Sequence, residues 1–419
     1  MQILTNILVF ILVFGVIVAV HEYGHLWWAK RAGILVREYA IGFGPMLFKH
    51  TAKDGTLYTI RMIPAGGYVR MAGWGDDETE IKKGQAASLV INDAGHVTRI
   101  NLSEKMALEN AIPVQITAFD FTDALYIEGD VFGETKRYEL ERTATIIEED
   151  GAEVRIAPAD VQYPNASVIG KLTTNFGGPL NNFILGLVAF IVLVFMQGGV
   201  ASNTNTIGNV ASNSPAAAAG LKSGDTITKI GTTQISNWQQ LTNAITSDKN
   251  GASLPVTFER QGVTKTATVA PEKLEGSYKF GVSQSLKTDI GSKILGGFQM
   301  TLNAMTLISQ ALGKLFTHPS LNQLGGPVAI FQATGQAAQG GVLTVLGFLA
   351  LLSINLGIVN LVPIPALDGG KIVLNLIEAI RRKPLKPEHE QVVTIAGAVF
   401  MIVLMIAVTW NDIMRGFIH

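Results

Sequence analysis

The chain has 419 residues, of which 48% are hydrophobic and 16% are charged, and its mean hydropathy is +0.32. An average soluble domain is about 25% charged, so this composition excludes an ordinary soluble enzyme and predicts a few membrane spans joined to water-exposed domains. The net charge of -1 indicates no attraction to nucleic acid, and the lack of cysteine leaves only His, Asp and Glu as ligands for a metal.

The first predicted element is a transmembrane helix over residues 1–32. Its apolar run, residues 3–20, is close to the ~20 residues that cross ~30 Å of hydrocarbon. A signal peptide is the alternative, but no basic residue precedes the run and no small-residue cleavage site follows it. The run leads instead straight into His21-Glu22-Tyr23-Gly24-His25.

This first motif has the spacing of a metal site on a helix. Residues four apart share one helix face, so both imidazoles can hold one ion while Glu22 points toward a bound water. Zinc lowers the pKa of such a water to about 7, and a glutamate can accept its proton. A polar cluster that merely reaches the membrane interface is the alternative, but ionisable groups at the end of an apolar helix usually mark a functional site.

Residues 33–71 are predicted to form a β region associated with the membrane. Strand-forming residues at 34–48 and 57–62 flank the turn Lys53-Asp54-Gly55, and the run Pro64-Ala65-Gly66-Gly67 is expected to break the second strand. Residues 72–175 are polar and mixed, with an acidic cluster at 76–78, and predict a cytoplasmic α+β insert without evident chemistry.

A polar module follows the second predicted transmembrane helix, residues 176–199. The module covers residues 203–285, and its predicted elements are a short helix at 214–221, a strand at 226–230, a helix at 238–245 and a hairpin at 255–269. This order resembles a bacterial-type PDZ domain, whose usual signature is Ser-Pro-Ala-x-x-Ala-Gly-Leu-x-x-Gly-Asp. The resemblance implies a PDZ-like domain.

A second motif interrupts the third predicted transmembrane segment, residues 342–380, which follows an amphipathic connector over 286–341. It runs from Asn360 to Gly370 and contains two prolines and two glycines. Irregular backbone at membrane depth is tolerated only where protein or a water cavity covers it. Asp368 is either a helix N-cap or the third zinc ligand, and the His motif favours the ligand.

A fourth transmembrane helix is predicted over residues 391–411, which makes the chain a polytopic α-helical membrane protein. Basic residues follow the first span and lie between the third and fourth, whereas none precedes the first. Basic loops stay in the cytoplasm. We therefore expect residues 21–175 and roughly 366–390 in the cytoplasm, with the PDZ-like domain and both termini on the extracytoplasmic side of a bacterial cell membrane.

The two motifs together resemble the site-2 protease family of intramembrane zinc metalloproteases. That family carries HExxH on its first core span and Asn-x-x-Pro-x-Pro-x-x-Asp-Gly on its third, and both are intact here. Further segments resemble the bacterial branch that includes the regulator of sigma-E protease: Gly42-Phe43-Gly44, residues 63–69, residues 178–183 and Leu324-Gly325-Gly326-Pro327. The resemblance covers nearly the whole chain except about 72–175. One PDZ-like domain instead of two indicates the form found in Gram-positive bacteria.

The resemblance implies that His21, His25 and Asp368 bind Zn²⁺ and that Glu22 is the general base. It also implies a role for Asn360 and Asn182 in binding the substrate backbone or stabilising the tetrahedral intermediate. For Asn182, a hydrogen bond that only packs helices is the alternative.

Substrate capture is expected at a strand edge, since Gly67, Tyr68 and Val69 lie among strand signals that follow directly from the zinc helix. Such an edge can hold an unwound segment by strand addition. The family's substrates are single-span membrane proteins, such as anti-sigma factors and remnant signal peptides, cut in regulated intramembrane proteolysis. These proteins and the lipid bilayer are the expected partners.

Two other functions stay open. A membrane-anchored metallopeptidase acting on soluble peptides needs the His motif in an aqueous domain, whereas here the motif continues an apolar span. A non-catalytic PDZ-bearing membrane scaffold has no need of Glu22, because a structural zinc site would close its fourth position with another ligand.

Overall fold

The structure is a computed structural model that describes residues 2–73, 81–149, 151, 153–247, 251–274, 276–383, 385 and 387–418. The acidic cluster at 76–78 lies outside the described residues. Two compact units are present, Met1–Gly186 with Asn303–His419, and Leu187–Leu302.

The apolar runs fold as helices. The α-helices are α1 (Gln2–Arg31), α2 (Val168–Met196), α3 (Pro215–Ala218), α4 (Trp238–Thr246), α5 (Ile290–Thr317), α6 (Pro327–Gln339), α7 (Val342–Asn360), α8 (Asp368–Arg381) and α9 (Pro387–Ile418). Within the described residues, four stretches are long and apolar enough to cross a membrane: α1, α2, α7 and residues 389–415 of α9. This agrees with the predicted number of spans.

The predicted bounds of two spans need correction. The second helix occupies Val168–Met196 instead of 176–199, and the fourth occupies Pro387–Ile418 instead of 391–411. An apolar run marks only the stretch that matches hydrocarbon, while helical hydrogen bonding continues into polar flanks. The third segment is two helices, since α7 ends at Asn360 and α8 begins at Asp368. The predicted connector contains α5 and α6.

The region after α1 is a bent hairpin of β1 (Val36–Thr51) and β2 (Leu57–Met71). Residues 38–41 of β1 align with residues 57–60 and also with 67–70, so they lie between two segments of β2. The predicted break at 64–67 is a bend within β2, and Gly66 supplies it with a φ of +139°. Among the described residues, no further strand aligns with 67–71, which therefore forms an edge.

The polar insert is built from strands. They are β3 (Ala86–Ile91), β4 (Val97–Asn101), β5 (Ile112–Asp120), β6 (Tyr126–Val131), β7 (Glu134–Ile147) and β8 (Glu153–Arg155). Their order is β4-β3-β5-β6-β7-β8, and β4 also pairs with β7, which closes the sheet around a core that includes Leu89, Ile100 and Ile127. The predicted α+β insert is therefore wrong in its helical part, because the described residues 81–157 contain no α-helix. Burial alternates along β6 with the period of two that a half-buried strand requires.

Two short 3-10 helices, Ala159–Val161 and Tyr163–Asn165, connect this sheet to α2.

The polar part of the second unit follows the predicted order of elements. Its strands are β9 (Val200–Ala201), β10 (Ile207–Val210), β11 (Thr226–Ile230), β12 (Thr233–Gln234), β13 (Leu254–Arg260), β14 (Val263–Val269), β15 (Glu272–Leu274), β16 (Ser277–Lys279), β17 (Val282–Gln284) and β18 (Leu286–Lys287). The main sheet has the order β12-β11-β13-β14. Ser214 caps α3 by accepting a hydrogen bond from the Ala217 N–H, as the Ser-Pro start indicates.

Candidate metal centre

The first two membrane helices touch backbone to backbone where they cross. A methyl group on Gly24 of α1 would lie 2.2 Å from the carbonyl oxygen of Gly177 on α2. A methyl group on Gly178 would lie 2.4 Å from His25 Nε2. Small residues allow helices in membranes to approach this closely, and here they bring α2 directly against both imidazoles of α1.

Three side chains converge beside this crossing. The Nε2 atoms of His21 and His25 lie 3.3 Å apart, and the Oδ2 atom of Asp368 lies 3.3 Å from the first and 3.4 Å from the second. Zinc binds nitrogen and oxygen at about 2.0–2.1 Å, so two ligands of a tetrahedral zinc lie about 3.3–3.4 Å apart. The spacing of the three atoms would therefore suit three ligands of one zinc ion.

Asp368 does not act as a helix cap. The N-cap position of α8 is Leu367, and it makes no capping hydrogen bond from its side chain. The Oδ2 atom of Asp368 is buried and has no hydrogen-bond donor among the described residues. A buried carboxylate oxygen without a donor is costly, and a metal ion between it and the imidazoles would remove that cost.

The loop between α7 and α8 sets the position of Asp368. A methyl group on Gly369 would lie 2.3 Å from the carbonyl oxygen of Leu361, and one on Gly370 would lie 2.2 Å from that of Ile364. The two glycines let the chain fold back on itself within residues 361–370. That reversal explains why the motif needs Gly-Gly directly after its aspartate.

Further polar groups orient the two imidazoles. His25 Nδ1 lies 2.8 Å from the carbonyl oxygen of Thr174, which fixes it as the protonated nitrogen and leaves Nε2 free for a metal. His21 Nδ1 lies 3.0 Å from Nδ2 of Asn182, whose buried Oδ1 has no partner among the described residues. Turning the Asn182 amide over would let Oδ1 accept the Nδ1–H of His21, which satisfies both atoms once Nε2 binds a metal.

The cluster opens into a cavity of about 390 Å³. Glu22 lines it next to the two imidazoles, and the edge of β2 lines it on another side. A methyl group on Gly67 would lie 2.8 Å from Cγ of Glu22, so the backbone of the edge runs in contact with the predicted base. The described lining residues are Phe14, Val18, His21, Glu22, His25, Gly66, Gly67, Tyr68, Val69, Met71, Asn175, Leu356, Asn360, Ala366, Leu367, Asp368 and Lys371.

The predicted substrate-binding residues fall into two groups. Gly67, Tyr68, Val69 and Asn360 line the cavity, and Nδ2 of Asn360 lies 3.5 Å from Nε2 of His21. Asn182 is fully buried behind His21 and does not belong to the lining. Its position supports an orienting role toward His21 and removes it from direct reach of a substrate.

Sequence reasoning missed two polar residues of the lining, Lys371 and Asn175. Lys371 follows Asp368 by one helical turn, a spacing that places it on the same side of α8. That spacing was a usable signal. No such signal identified Asn175 or the carbonyl of Thr174, because only the crossing of α1 and α2 brings them to the site.

No other group of three or more His, Asp or Glu in the described part of the chain has ligand atoms close enough to share an ion. A second cavity of about 430 Å³ lies on the insert, between β3 and the turns after β4 and β6, and its lining contains Glu104 and Asp130 but no histidine.

Comparisons with known proteins identify the family of the chain. The sequence model of peptidase family M50 matches residues 9–404. A Lactococcus lactis subsp. lactis protein, provisionally named a zinc metalloprotease, is 58% identical over 99% of both chains. A Streptococcus pneumoniae protein with the same provisional name is 55% identical, over 98% of this chain and 99% of the relative. An Enterococcus faecalis protein, provisionally named the protease Eep, is 51% identical, over 98% and 99%.

Among solved structures, the PDZ domain of an SdrC-like protein from Listeria monocytogenes matches 20% of this chain and 90% of that domain. The identity is 22% and the TM-score is 0.18, which is too low to bear on the fold. The match of the family model and the identity of the relatives cover nearly the whole chain. The chain therefore belongs to peptidase family M50, the site-2 proteases, and is a zinc metalloendopeptidase of the membrane.

Proposed function

We propose that this zinc metalloprotease hydrolyses peptide bonds within the transmembrane segments of single-span proteins, in regulated intramembrane proteolysis. One observation carries the proposal. His21, Glu22 and His25 lie on α1, which is long and apolar enough to cross a membrane, and Asp368 is the first residue of α8, close after the candidate span α7. These side chains face a cavity bordered by a strand edge. A protease for soluble peptides has no need of such a placement.

In this proposal His21, His25 and Asp368 hold the zinc ion. Zinc supplies Lewis acidity, which makes water a good nucleophile near neutral pH. Glu22 accepts the proton of the attacking water and then donates it to the nitrogen of the departing amine, so that no net proton is consumed in the step. Thr174 and Asn182 hold the imidazoles in the orientation that this requires.

Asn360 is proposed to contact the substrate carbonyl. It is the last residue of α7, it lines the cavity, and its amide nitrogen lies 3.5 Å from Nε2 of His21. An amide N–H in that place can donate to the carbonyl oxygen as negative charge develops on it.

The edge of β2 at Gly67, Tyr68 and Val69 is proposed to capture the substrate. A transmembrane helix hides its peptide bonds in i to i−4 hydrogen bonds, so it must unwind before it can be cut. The edge offers N–H and C=O groups that can replace those bonds by strand addition. Because Gly67 lies against Glu22, a backbone captured at this edge would lie beside the proposed base.

The apolar part of β1 in the same hairpin is proposed to enter the membrane. Phe43, Met46, Leu47 and Phe48 are all exposed large hydrophobic side chains within β1. An exposed apolar patch on a membrane protein is suited to lipid. Both termini and the PDZ-like domain are proposed to lie outside the cytoplasm, as the distribution of basic residues favours.

The PDZ-like domain is proposed to select substrates that another protease has already trimmed. Steric exclusion of untrimmed proteins by the domain is the simpler mechanism, and binding of a new C-terminus by the domain is the alternative. Replacing residues 203–285 by a short flexible linker distinguishes the two mechanisms. Untrimmed substrates would then be cleaved if the domain acts by steric exclusion, and trimmed substrates would no longer be cleaved if the domain docks them.

The proposed function is tested with the full chain, loaded with zinc and reconstituted in lipid vesicles. A synthetic remnant signal peptide that inserts in the bilayer should be cut within its apolar run. A water-soluble peptide with the same residues around the cut site, flanked by lysines, should be cut far more slowly. Preferential cleavage of the soluble peptide would instead support a membrane-anchored peptidase, and no cleavage of either would support a scaffold.

A further inference from the structure

A buried glutamate lies at the centre of the hairpin that carries the proposed substrate edge. Glu38 is 3% exposed. Its Oε1 atom accepts hydrogen bonds from Thr59 Oγ1 and from Arg61 Nη2, both at 2.7 Å, and its Oε2 atom accepts one from the Tyr68 hydroxyl at 2.9 Å. One carboxylate thus binds three side chains of β2.

The register of the hairpin explains why two of these side chains, Thr59 and Tyr68, reach Glu38. Glu38 aligns with Leu57 on one flank and with Arg70 on the other. Thr59 and Tyr68 are two residues from these partners and are therefore diagonal neighbours of Glu38 on the same sheet face. The carboxylate consequently ties both flanking segments of β2 to the central segment of β1.

Glu38 is held in its charged form. Burial alone would raise the pKa of Glu38, but the hydrogen bonds from Arg61, Thr59 and Tyr68 and the charge of Arg61 bring it below its ordinary value. A buried charge is tolerated only when it is paired and hydrogen-bonded. The network is therefore a fixed arrangement, in which loss of one partner leaves the others unsatisfied.

Tyr68 is the one member of this network that also lines the zinc cavity. Its ring stacks on Phe43 with centroids 6.0 Å apart, and the guanidinium carbon of Arg61 lies 5.6 Å from the ring centre. Arg61 Nη1 also donates to the carbonyl oxygen of Gly44, at 2.8 Å. Tyr68 is therefore restrained at its hydroxyl by Glu38 and at its ring by Phe43 and Arg61.

The edge is paired with β1 on one side only, and side chains add little to its shape at Gly66 and Gly67. Gly66 and Gly67 carry no side chain, and Gly66 has a φ of +139°. Glycine loses more conformational freedom on ordering than any other residue, so a free edge of this composition would weaken strand addition. A preformed edge binds substrate more tightly because its conformational entropy is already lost before the substrate binds.

We propose that Glu38 is a positioning residue for substrate capture, which fixes the edge at residues 67–69 in the extended form by binding Tyr68, Arg61 and Thr59. This inference rests on the proposed function, since it assigns the edge to substrate. Glu38 itself does not line the cavity. Its effect is expected in binding, while zinc content and the chemical step keep their values.

The first experiment measures kinetics with the full chain in lipid vesicles and a quenched fluorescent remnant signal peptide. Glu38→Gln should raise KM about 10-fold or more, the effect of losing a charged hydrogen-bond partner, and leave kcat within about 3-fold. Tyr68→Phe should raise KM by a smaller factor, because Arg61 and Thr59 still hold Glu38. The double variant should match Glu38→Gln alone, since both changes break the same bond.

Matched controls come from the same hairpin. Asp54 is an exposed carboxylate paired with Lys30 at 2.6 Å, and Tyr58 accepts a hydrogen bond from Lys30 at 3.3 Å. Asp54→Asn and Tyr58→Phe repeat the two chemical changes away from the edge. Both are expected to keep the KM of the wild type.

The second experiment observes docking without cleavage. The chain has no cysteine, so Val69→Cys in a Glu22→Gln background gives a single thiol on the edge. Disulfide formation with a remnant signal peptide that carries one cysteine in its apolar run should fall about 10-fold when Glu38→Gln is added. Asp54→Asn should leave the yield unchanged.

The outcomes distinguish a failure of substrate capture at the edge from a failure of the positioning role of Glu38. If no peptide position forms a disulfide with Val69→Cys, the edge does not bind substrate and the proposed capture itself fails. If the disulfide forms equally well with and without Glu38→Gln, capture stands and the role of Glu38 is refuted. A parallel fall of kcat and zinc content in Glu38→Gln and in Tyr68→Phe would show a general loss of structure and would also refute it.

Discussion

Two buried aspartates in different units of the molecule have opposite surroundings. Asp225, in the PDZ-like domain, accepts hydrogen bonds from Arg260 Nε and Nη2, each at 2.7 Å, and from the Lys222 N–H at 2.8 Å. Asp368, at the zinc cavity, has an Oδ2 atom that no donor among the described residues reaches with a hydrogen bond, while two histidine nitrogens lie 3.3 and 3.4 Å away.

The difference distinguishes an aspartate that stabilises the fold from one that is suited to bind a metal. The partners of Asp225 satisfy its charge within the chain, so it ties the turn before β11 to the end of β13. The buried Oδ2 atom of Asp368 has no such partner among the described residues, and a cation held between it and the two imidazoles would compensate its charge. The following experiments test that distinction, beginning with the largest expected effect.

The largest effect is expected from Glu22→Gln. All three proposed ligands survive, so zinc content should equal that of the wild type, while turnover should fall roughly 10²–10⁴-fold or more because the water loses its base. Metal analysis and cleavage of a remnant signal peptide in vesicles provide the two measurements. Wild-type cleavage by this variant would overturn the assigned mechanism.

Asp368→Ala and Asp225→Ala compare the two aspartates directly. Loss of an orienting partner costs about 10–100-fold in metal affinity, and loss of a ligand should cost more. Asp368→Ala, like His21→Ala, should therefore lose both zinc and activity, and a chelator should do the same to the wild type. Asp225→Ala should keep its zinc. Equal zinc content in the two variants would contradict the comparison.

Asn182→Ala tests the orienting role inferred for that residue. It should weaken zinc binding by about 10–100-fold with little change in KM, because Asn182 contacts His21 and lies outside the cavity lining. Asn181→Ala is the control, since Asn181 donates to the carbonyl oxygen of Val20 instead. An increase in KM with normal zinc affinity would favour a role in substrate binding.

A proline scan of residues 67–71 tests the substrate edge. Proline removes a backbone donor, so one or two positions should lose about 10-fold in cleavage while zinc content and expression stay normal. The sensitive positions should be those whose N–H points away from β1. Uniform tolerance across the five positions would exclude strand addition at this edge.

The smallest effect is expected from the pH response of Asp225. Burial by itself would raise the pKa of Asp225, but hydrogen bonds from Arg260 and Lys222 and the charge of Arg260 bring it below the ordinary value of about 3.9. The stabilisation is therefore complete above about pH 4 and is lost as pH falls through the folded-state pKa. Amide exchange of residues 203–247, corrected for intrinsic rates, should accelerate below pH 4 in the wild type and less so in Asp225→Asn.

Much of the site could be predicted because its chemistry is local in sequence. His21, Glu22 and His25 occupy one helix at a spacing that fixes their common side, and Asp368 stands in a run of prolines and glycines that only an interrupted helix explains. The PDZ-like elements were predictable for a similar reason, since Ser-Pro, Gly-Asp and Gln-Gly mark short turns. The fold of the insert was harder to predict, because its closed sheet depends on pairing between β4 and β7, which are distant in sequence.

The sequence by itself determined the number of candidate spans and the residues of the candidate metal cluster, and it predicted Glu22 as the general base, because these follow from helix periodicity, turn chemistry and the cost of placing charge in an apolar run. Only the tertiary structure decided that Asn182 lies behind His21, that Thr174 orients His25, and that the edge of β2 touches Glu22. These contacts join segments far apart in the chain. The first two depend on glycines that let α1 and α2 meet where they cross, and the third depends on Gly67, which has no side chain beside Glu22. No local pattern encodes which residues will face each other at such a crossing.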